Sequence, residues 1–449
     1  MSRFLLRIPL MTAATACLAT LAAATPPPES PFAIPQPPFF GQVRTRTEFD
    51  HKAMTDTSLN KSLLSTQLRT RLGFLASPSE KVEIKVEIQD TRVMGTEPSS
   101  ATTAVGTAAH TASTGNRSGV DLLQGYVAIQ EGPVKVAVGR QKMTLGAGRY
   151  MSTLEWSPTS RAFDGVSANW SVGGGDLTGL VFLVKDTASS TATTPSTVAA
   201  TDDRLILSGL HYNIKLGQNL TAEASAFYDK STLRNVYSGD TLRRYDLVYL
   251  GQRTAGQFGL LTFEEELLWQ AGKAENAAGR SLTSAAYQVA LRAGIALPKV
   301  KANIGIDLMS GDNDATDDKT TLYRANYYFA HAYFGWMDYF IANPKYGVID
   351  YRADVDAMLW QGETQAISLK AQYHYFTPQN APSADDAMYG QEIDAEVHFA
   401  LYPKSNIVLG AGAFIPGGSA YKLGAAKIAN ATAKDETGFF VYFMPVFNF

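Results

Sequence analysis

The sequence predicts an all-β protein: a single transmembrane antiparallel up-and-down β-barrel of about 18 strands. Three observations carry this expectation. Segment after segment alternates apolar and polar residues with period two, so each strand offers one face to hydrocarbon and one to water. Tight turns and long loops alternate along the chain, which gathers the short connections at one end. The chain finishes on residues 438–449, where Phe439, Val441, Phe443, Pro445, Phe447 and Phe449 share one face and Phe440, Tyr442, Met444, Val446 and Asn448 the other. A soluble sheet rarely ends on so much aromatic surface. A barrel whose last strand closes on its first, with one face in lipid, commonly does.

At the other end, two arginines, Arg3 and Arg7, accompany a short apolar run that leads to Ala22, Ala23 and Ala24. Residues 1–24 therefore read as a secretory signal peptide. Cys17, the one cysteine of the chain, lies inside it, so no disulfide is expected beyond it. Acylation of Cys17 is the competing reading, but the branched residue usual three places earlier is replaced by Ala14. Residues 25–39 hold Pro26, Pro27, Pro28, Pro31, Pro35, Pro37 and Pro38 and read as an extended periplasmic tether. Residues 40–449 are then the barrel. No later apolar run approaches the roughly 20 residues of a membrane-spanning helix. A formal net charge of −3 points to no nucleic acid.

The first strand is expected over 41–49, with Val43, Thr45, Thr47 and Phe49 opposed to Gln42, Arg44, Arg46 and Glu48. The second, 64–74, sets Leu64, Leu68, Leu72 and Phe74 against Ser65, Gln67, Arg69 and Arg71. The third, 81–89, sets Val82, Ile84, Val86 and Ile88 against Lys81, Glu83, Lys85, Glu87 and Gln89. Tight turns then fall at 77–80, 131–133, 173–176, 215–219, 254–256, 297–299, 362–363 and 403–405. Long loops fall at 91–119, 143–162, 186–202, 231–240, 271–280, 311–350, 377–389 and 416–437. The count is even and places both ends on the short-turn, periplasmic side; one merged pair would give sixteen. Two residues fit poorly. Glu265 falls on the lipid face unless a bulge re-aims it, and Pro445 belongs at a rim or a bulge because it donates no ladder bond.

Two stretches resemble the alginate-export family of outer-membrane barrels. One is Gly139-Arg-Gln with the later Gly148-Arg149, Trp156, Arg161 and Phe163-Asp-Gly165. The other is Ser310-Gly-Asp312 with His331, Phe334-Gly335 and Met337-Asp338. The segment Arg69-Thr-Arg71-Leu-Gly-Phe also fits. The resemblance implies an eighteen-stranded, monomeric barrel in the outer membrane of a Gram-negative-type bacterium. It further implies an arginine-lined pore that passes an anionic polysaccharide such as alginate. Glu48, Glu83 and Glu87 depart from the one-sided wall such a pore would use.

The residues themselves offer a pore-lining set of Arg44, Arg46, Arg69, Arg71, Lys85 and Arg352, accompanied by Glu48, Glu83 and Glu87. Arginine stays charged and presents a fork of donors to a carboxylate, so inward arginines favour anionic or sugar-like solutes. The same pairs also suit plain bracing of the wall. Arg140, Arg149, Arg161 and Asp164 bracket the Gly- and aromatic-rich loop 143–162, which is expected to fold inward as a constriction. Asp312, Asp314 and Asp317 are weak metal candidates, because their loop lacks the Gly and Glu of an EF-hand. The aromatic-rich stretch that holds His331, Trp336, Met337 and Asp338 is expected to be packed, as a lid or a sugar-stacking surface. Neither Gly-x-Ser-x-Gly nor His-Glu-x-x-His occurs, so nothing supports a nucleophile elbow or a zinc helix. No cofactor is called for. The expected function is passive passage, with a general diffusion channel, a barrel enzyme or an adhesin as alternatives.

Overall fold

A computed structural model describes residues 39–51, 63–94, 119–186, 204–232, 242–276, 278–314, 316–381, 387–418 and 437–449. Residues 1–38, which hold the expected signal peptide and all of the expected tether but its last residue, lie outside these residues, as do the central parts of most of the long loops; Phe39, expected to end the tether, instead opens the first strand.

Among the described residues the strands are β1 (Phe39–His51), β2 (Leu63–Ser79), β3 (Val82–Val93), β4 (Gly119–Glu131), β5 (Val134–Gln141) and β6 (Phe163–Val172). They continue with β7 (Gly175–Asp186), β8 (Arg204–Leu216), β9 (Leu220–Ser231), β10 (Leu242–Phe258), β11 (Leu261–Asn276), β12 (Ser281–Ala296) and β13 (Val300–Met309). After a two-residue strand β14 (Lys319–Thr320) come β15 (Val348–Gln361), β16 (Ala366–Thr377), β17 (Gly390–Tyr402), β18 (Ser405–Pro416) and β19 (Gly438–Asn448). Each long strand pairs antiparallel with its sequence neighbour, and β1 pairs with β19, so eighteen strands close into a barrel. β14 instead adds to the rim of β12 in parallel. The seam is sealed at the short-turn end by two bonds, Gly41 N to Phe449 O and Phe449 N to Gly41 O, both 3.0 Å.

The alternation read in the sequence sets the two faces. Val43, Leu72, Val86, Ile88, Val127, Ile304, Ile393 and Phe443 stand exposed on the outside. That much exposed apolar surface belongs against lipid rather than water. The inner face is less uniform than expected. Phe182 on β7, Leu247 and Tyr249 on β10 and Phe440 and Tyr442 on β19 point inward and are buried. Loops that enter the bore cover them.

Both misfits resolve in register. Glu265 faces outward with no bulge beside it, since the one register shift of the β10–β11 ladder lies at Leu242 and Arg244, and Gln252 Nε2 donates to its carboxylate at 2.6 Å. Pro445 is at neither rim nor bulge. It pairs in register with Ile407 of β18, and the β1–β19 ladder skips Thr45 and Arg46 opposite it, where the missing N–H leaves a gap.

Gly139 and Gly165 face each other across β5 and β6 with φ of 130° and 156°. A Cβ on Gly139 would lie 2.2 Å from Gly125 O, and one on Gly165 2.1 Å from Val181 O. Backbone of this kind suits glycine alone. Gly139→Ala is therefore expected to destabilise the barrel by about 1–3 kcal/mol, read as a lower urea midpoint in detergent micelles with an unchanged slope.

Candidate functional site

Two loops enter the barrel and meet inside it. The first, residues 142–162, leaves β5 and reverses at Gly146 and Gly148, whose φ values of 54° and 80° favour glycine. Gly146 also lets the backbone press on the wall, since a Cβ there would lie 2.4 Å from Glu223 Oε2.

One end of this loop is fastened to β1 and β2. Arg44 donates to the carbonyls of Glu155 (2.7 Å) and Ser157 (3.0 Å), Arg46 to that of Trp156 (3.0 Å), and Arg69 to that of Glu155 (3.0 Å). Arg71 binds the Glu155 carboxylate at 2.8 Å and the Ser160 hydroxyl. Lys142 Nζ holds the other Glu155 oxygen at 2.9 Å. Arg46 also lies 4.1 Å over the Trp156 ring. Burial pushes the Glu155 carboxyl up, but Arg71, Lys142 and Arg69 outweigh it and hold it down at about 2.

The other end is fastened across the bore. Arg149 is fully buried, with Glu264 at 2.8 Å, Glu266 at 3.0 Å and Asp307 at 3.1 Å, and its guanidinium stacks 4.1 Å over Tyr333. Arg292 and Arg352 also approach Asp307, at 2.8 and 3.7 Å, while Arg253 joins Glu223 at 2.7 Å and Glu264 at 3.0 Å.

The second loop runs from Met309 to Val348. It forms a parallel bridge to the first at Met151 and Tyr327, with Ser152 N donating to Tyr327 O at 2.9 Å and Phe329 N to Gly148 O at 3.2 Å. Arg161 donates to Tyr327 O, and Tyr333 to Ala147 O. His331 stacks on Trp156, with ring centres 3.9 Å apart. The tip turns at Gly335 (φ 80°), and the amides of Trp336 and Met337 donate to Asp394 (3.3 Å) and Glu392 (2.7 Å) on β17. Arg352 caps the carbonyl of Tyr333 at 3.1 Å.

Arg44, Arg46, Glu48, Arg69 and Arg71 thus sit on the inner face, but the four arginines are only 3–5% exposed, covered by residues 155–160. Lys85 lies over the Phe40 ring, Glu83 binds Lys135 and Tyr126, and Glu87 accepts from Gln124. Arg149 and Arg161 belong to the inward loop. Arg140 and Asp164 do not: they pair with each other at 2.7 Å on the outer face, one residue out of phase with the inward Gln141 and Phe163. Asp312, Asp314 and Asp317 turn back on amides two residues ahead of them. Among the described residues no group of three acidic, His or Cys side chains is arranged to hold a metal. Arg253, Arg292, Glu264, Glu266 and Asp307 escaped the sequence reading. Glu264 and Glu266 flank the outward Glu265, and that period-two spacing was their one available signal.

Below the loops, a cavity of about 670 Å³ opens at the short-turn end. Its wall carries Lys215, Arg253, Arg292 and Lys301, with Glu264 the carboxylate among them and Thr221, Thr262 and Asn303 alongside.

The family described as Alginate export matches residues 38–433. No curated protein matches the sequence. Solved barrels match in fold. Pseudomonas aeruginosa OpdL aligns at TM-score 0.56 and 12% identity, covering 92% of this chain and 99% of its own. A BenF-like porin from Pseudomonas fluorescens Pf-5 aligns at 0.55 and 11%, covering 92% and 98%. P. aeruginosa OccK2 (OpdF), solved in complex with glucuronate, aligns at 0.54 and 11% with the same coverages.

Two outcomes follow for the loops. Arg149→Met removes the nearest cation from Glu266 and one of the cations that hold Glu264 and Asp307, and should cost about 3–5 kcal/mol, measured as urea unfolding in micelles. Glu155 is held below the ordinary carboxylate value of about 4.3, so its bridge stabilises the loop above that value and is lost as pH falls towards about 2. Trp156 fluorescence, followed against a Trp156→Phe control, should hold steady down to about pH 4 and change only below it.

Proposed function

We propose, from the premise that this chain belongs to the alginate export family, that it is a passive outer-membrane channel for anionic or sugar-like solutes. Outer-membrane channels are the common ground of the family and of the barrels of like fold. The choice of solute rests on one observation, the short-turn cavity whose wall carries Lys215 and Lys301 beside Arg253 and Arg292, the two arginines being paired with Glu223, Glu264 and Asp307. Lys215 and Lys301 are exposed there, and their charges raise the local concentration of anions before any constriction is reached. The amides and hydroxyls beside them suit the hydroxyl groups of a sugar. Glucuronate, the carboxylated sugar with which one barrel of like fold was solved, has this chemistry. An anionic polysaccharide such as alginate is the polymeric form of the same class.

In this reading the two inward loops are the constriction. Arg44, Arg46, Arg69 and Arg71 act through them, as anchors. Passage needs no energy input and no chemical step, so no residue is assigned a catalytic role.

Reversal potential in a planar bilayer under a KCl gradient tests the reading. The channel should prefer chloride, and the pair Lys215→Glu with Lys301→Glu should move the preference towards potassium by severalfold. Strong potassium preference in the unmodified protein would overturn it.

A further inference from the structure

We propose that Glu155 sets the charge selectivity of the constriction. The inference rests on the channel reading above and adds a residue to it. The arginines of β1 and β2 would be expected to show the bore a positive wall, but their forks are spent on the loop laid over them. Arg44 and Arg46 donate to loop carbonyls, and Arg69 is held by Gln42 Oε1 at 2.6 and 3.0 Å as well as by the Glu155 carbonyl. Arg71 is shared between Gln89, Ser160 and the Glu155 carboxylate. The group most in view on this wall is the carboxylate itself, with the Lys142 side chain beside it 22% exposed. The Glu155 side chain is 42% exposed, whereas those of Arg69 and Arg71 are 4% and 5%.

Glu155 therefore does two separable things. Its backbone carbonyl, with those of Trp156 and Ser157, fastens the loop. Its carboxylate bridges Arg71 and Lys142, offsets one of their two charges, and places its own at the surface the solute meets. It lies beside Arg71, at the midpoint of β2, where the inward loop narrows the bore. Depression to about 2 keeps the carboxylate ionised throughout the working range of a bacterial surface.

The test is Glu155→Gln. The amide keeps the size of the side chain and the backbone anchors, removes one negative charge, and leaves the charges of Arg71 and Lys142 without that offset. The chloride-to-potassium permeability ratio should rise by roughly threefold, the effect expected when one unit charge a few ångströms from the path is removed in partly screened water. Glu155→Asp keeps the charge and should return the ratio to that of the unmodified channel, with single-channel conductance unchanged in size. A ratio unmoved by Glu155→Gln would overturn the proposal. So would an equal shift in Gln and Asp variants with a jump in conductance, which would mark displacement of the loop. Failure of the unmodified protein to conduct would instead sink the channel reading itself.

Discussion

In hydrocarbon an unpaired backbone amide or carbonyl costs several kcal/mol, and no water is present to relieve it. The β1–β19 seam exists to meet that requirement, and the rest of the molecule follows from it. Closing eighteen strands satisfies the outer wall but leaves a bore far wider than side chains alone can fill. This chain fills much of it with its own loops. The unequal connections are thus more than an insertion signature. The short turns tighten the seam end, where Gly41 and Phe449 exchange bonds, while two of the long connections supply the contents of the barrel.

The contents are held chiefly by charge. A loop inside a barrel presents carbonyls and amides that strands would have paired, and it needs donors and acceptors from the wall. Arginine meets the first need, because one planar fork reaches two oxygens without giving up its charge. Arg44 does so with the carbonyls of Glu155 and Ser157. Carboxylates meet the second, as Glu392 and Asp394 do for the amides of Met337 and Trp336. Around Arg149 the opposite charges are collected closely and share partners, so that removal of one member unbalances a buried set of charges, which makes the network a source of specificity rather than surplus stability. Aromatic contacts between the loops, such as Trp156 against His331, add the apolar part.

Much of this was legible in the chain itself. Period-two alternation gave most of the strands and the turn lengths gave the even count, but the turn expected at 254–256 lies inside β10 and most of the loop expected at 271–280 lies in β11. The inward course of loop 143–162 was anticipated from its glycines and flanking arginines. Less was legible about what each charge does. Arg69 contacts a carbonyl eighty-six positions away, and no local pattern carries that information. Arg140 and Asp164 sit beside the loop in sequence yet face outward, because a single step along a strand reverses the face. Inward Phe182 and Tyr249 read like lipid-facing residues until the loop residues that cover them are in place. Gly139 and Gly165, known first as parts of a resemblance, acquire a reason only when their facing register is seen.

Amide hydrogen exchange of the barrel in lipid nanodiscs, followed by mass spectrometry, tests the central claim most directly. The amides of Ser152, Phe329 and Met337, each bonded inside the bore, should exchange as slowly as those of the strands that surround them. Exchange within seconds at these positions would mean that the loops do not pack in the barrel, and the account of its interior would be contradicted.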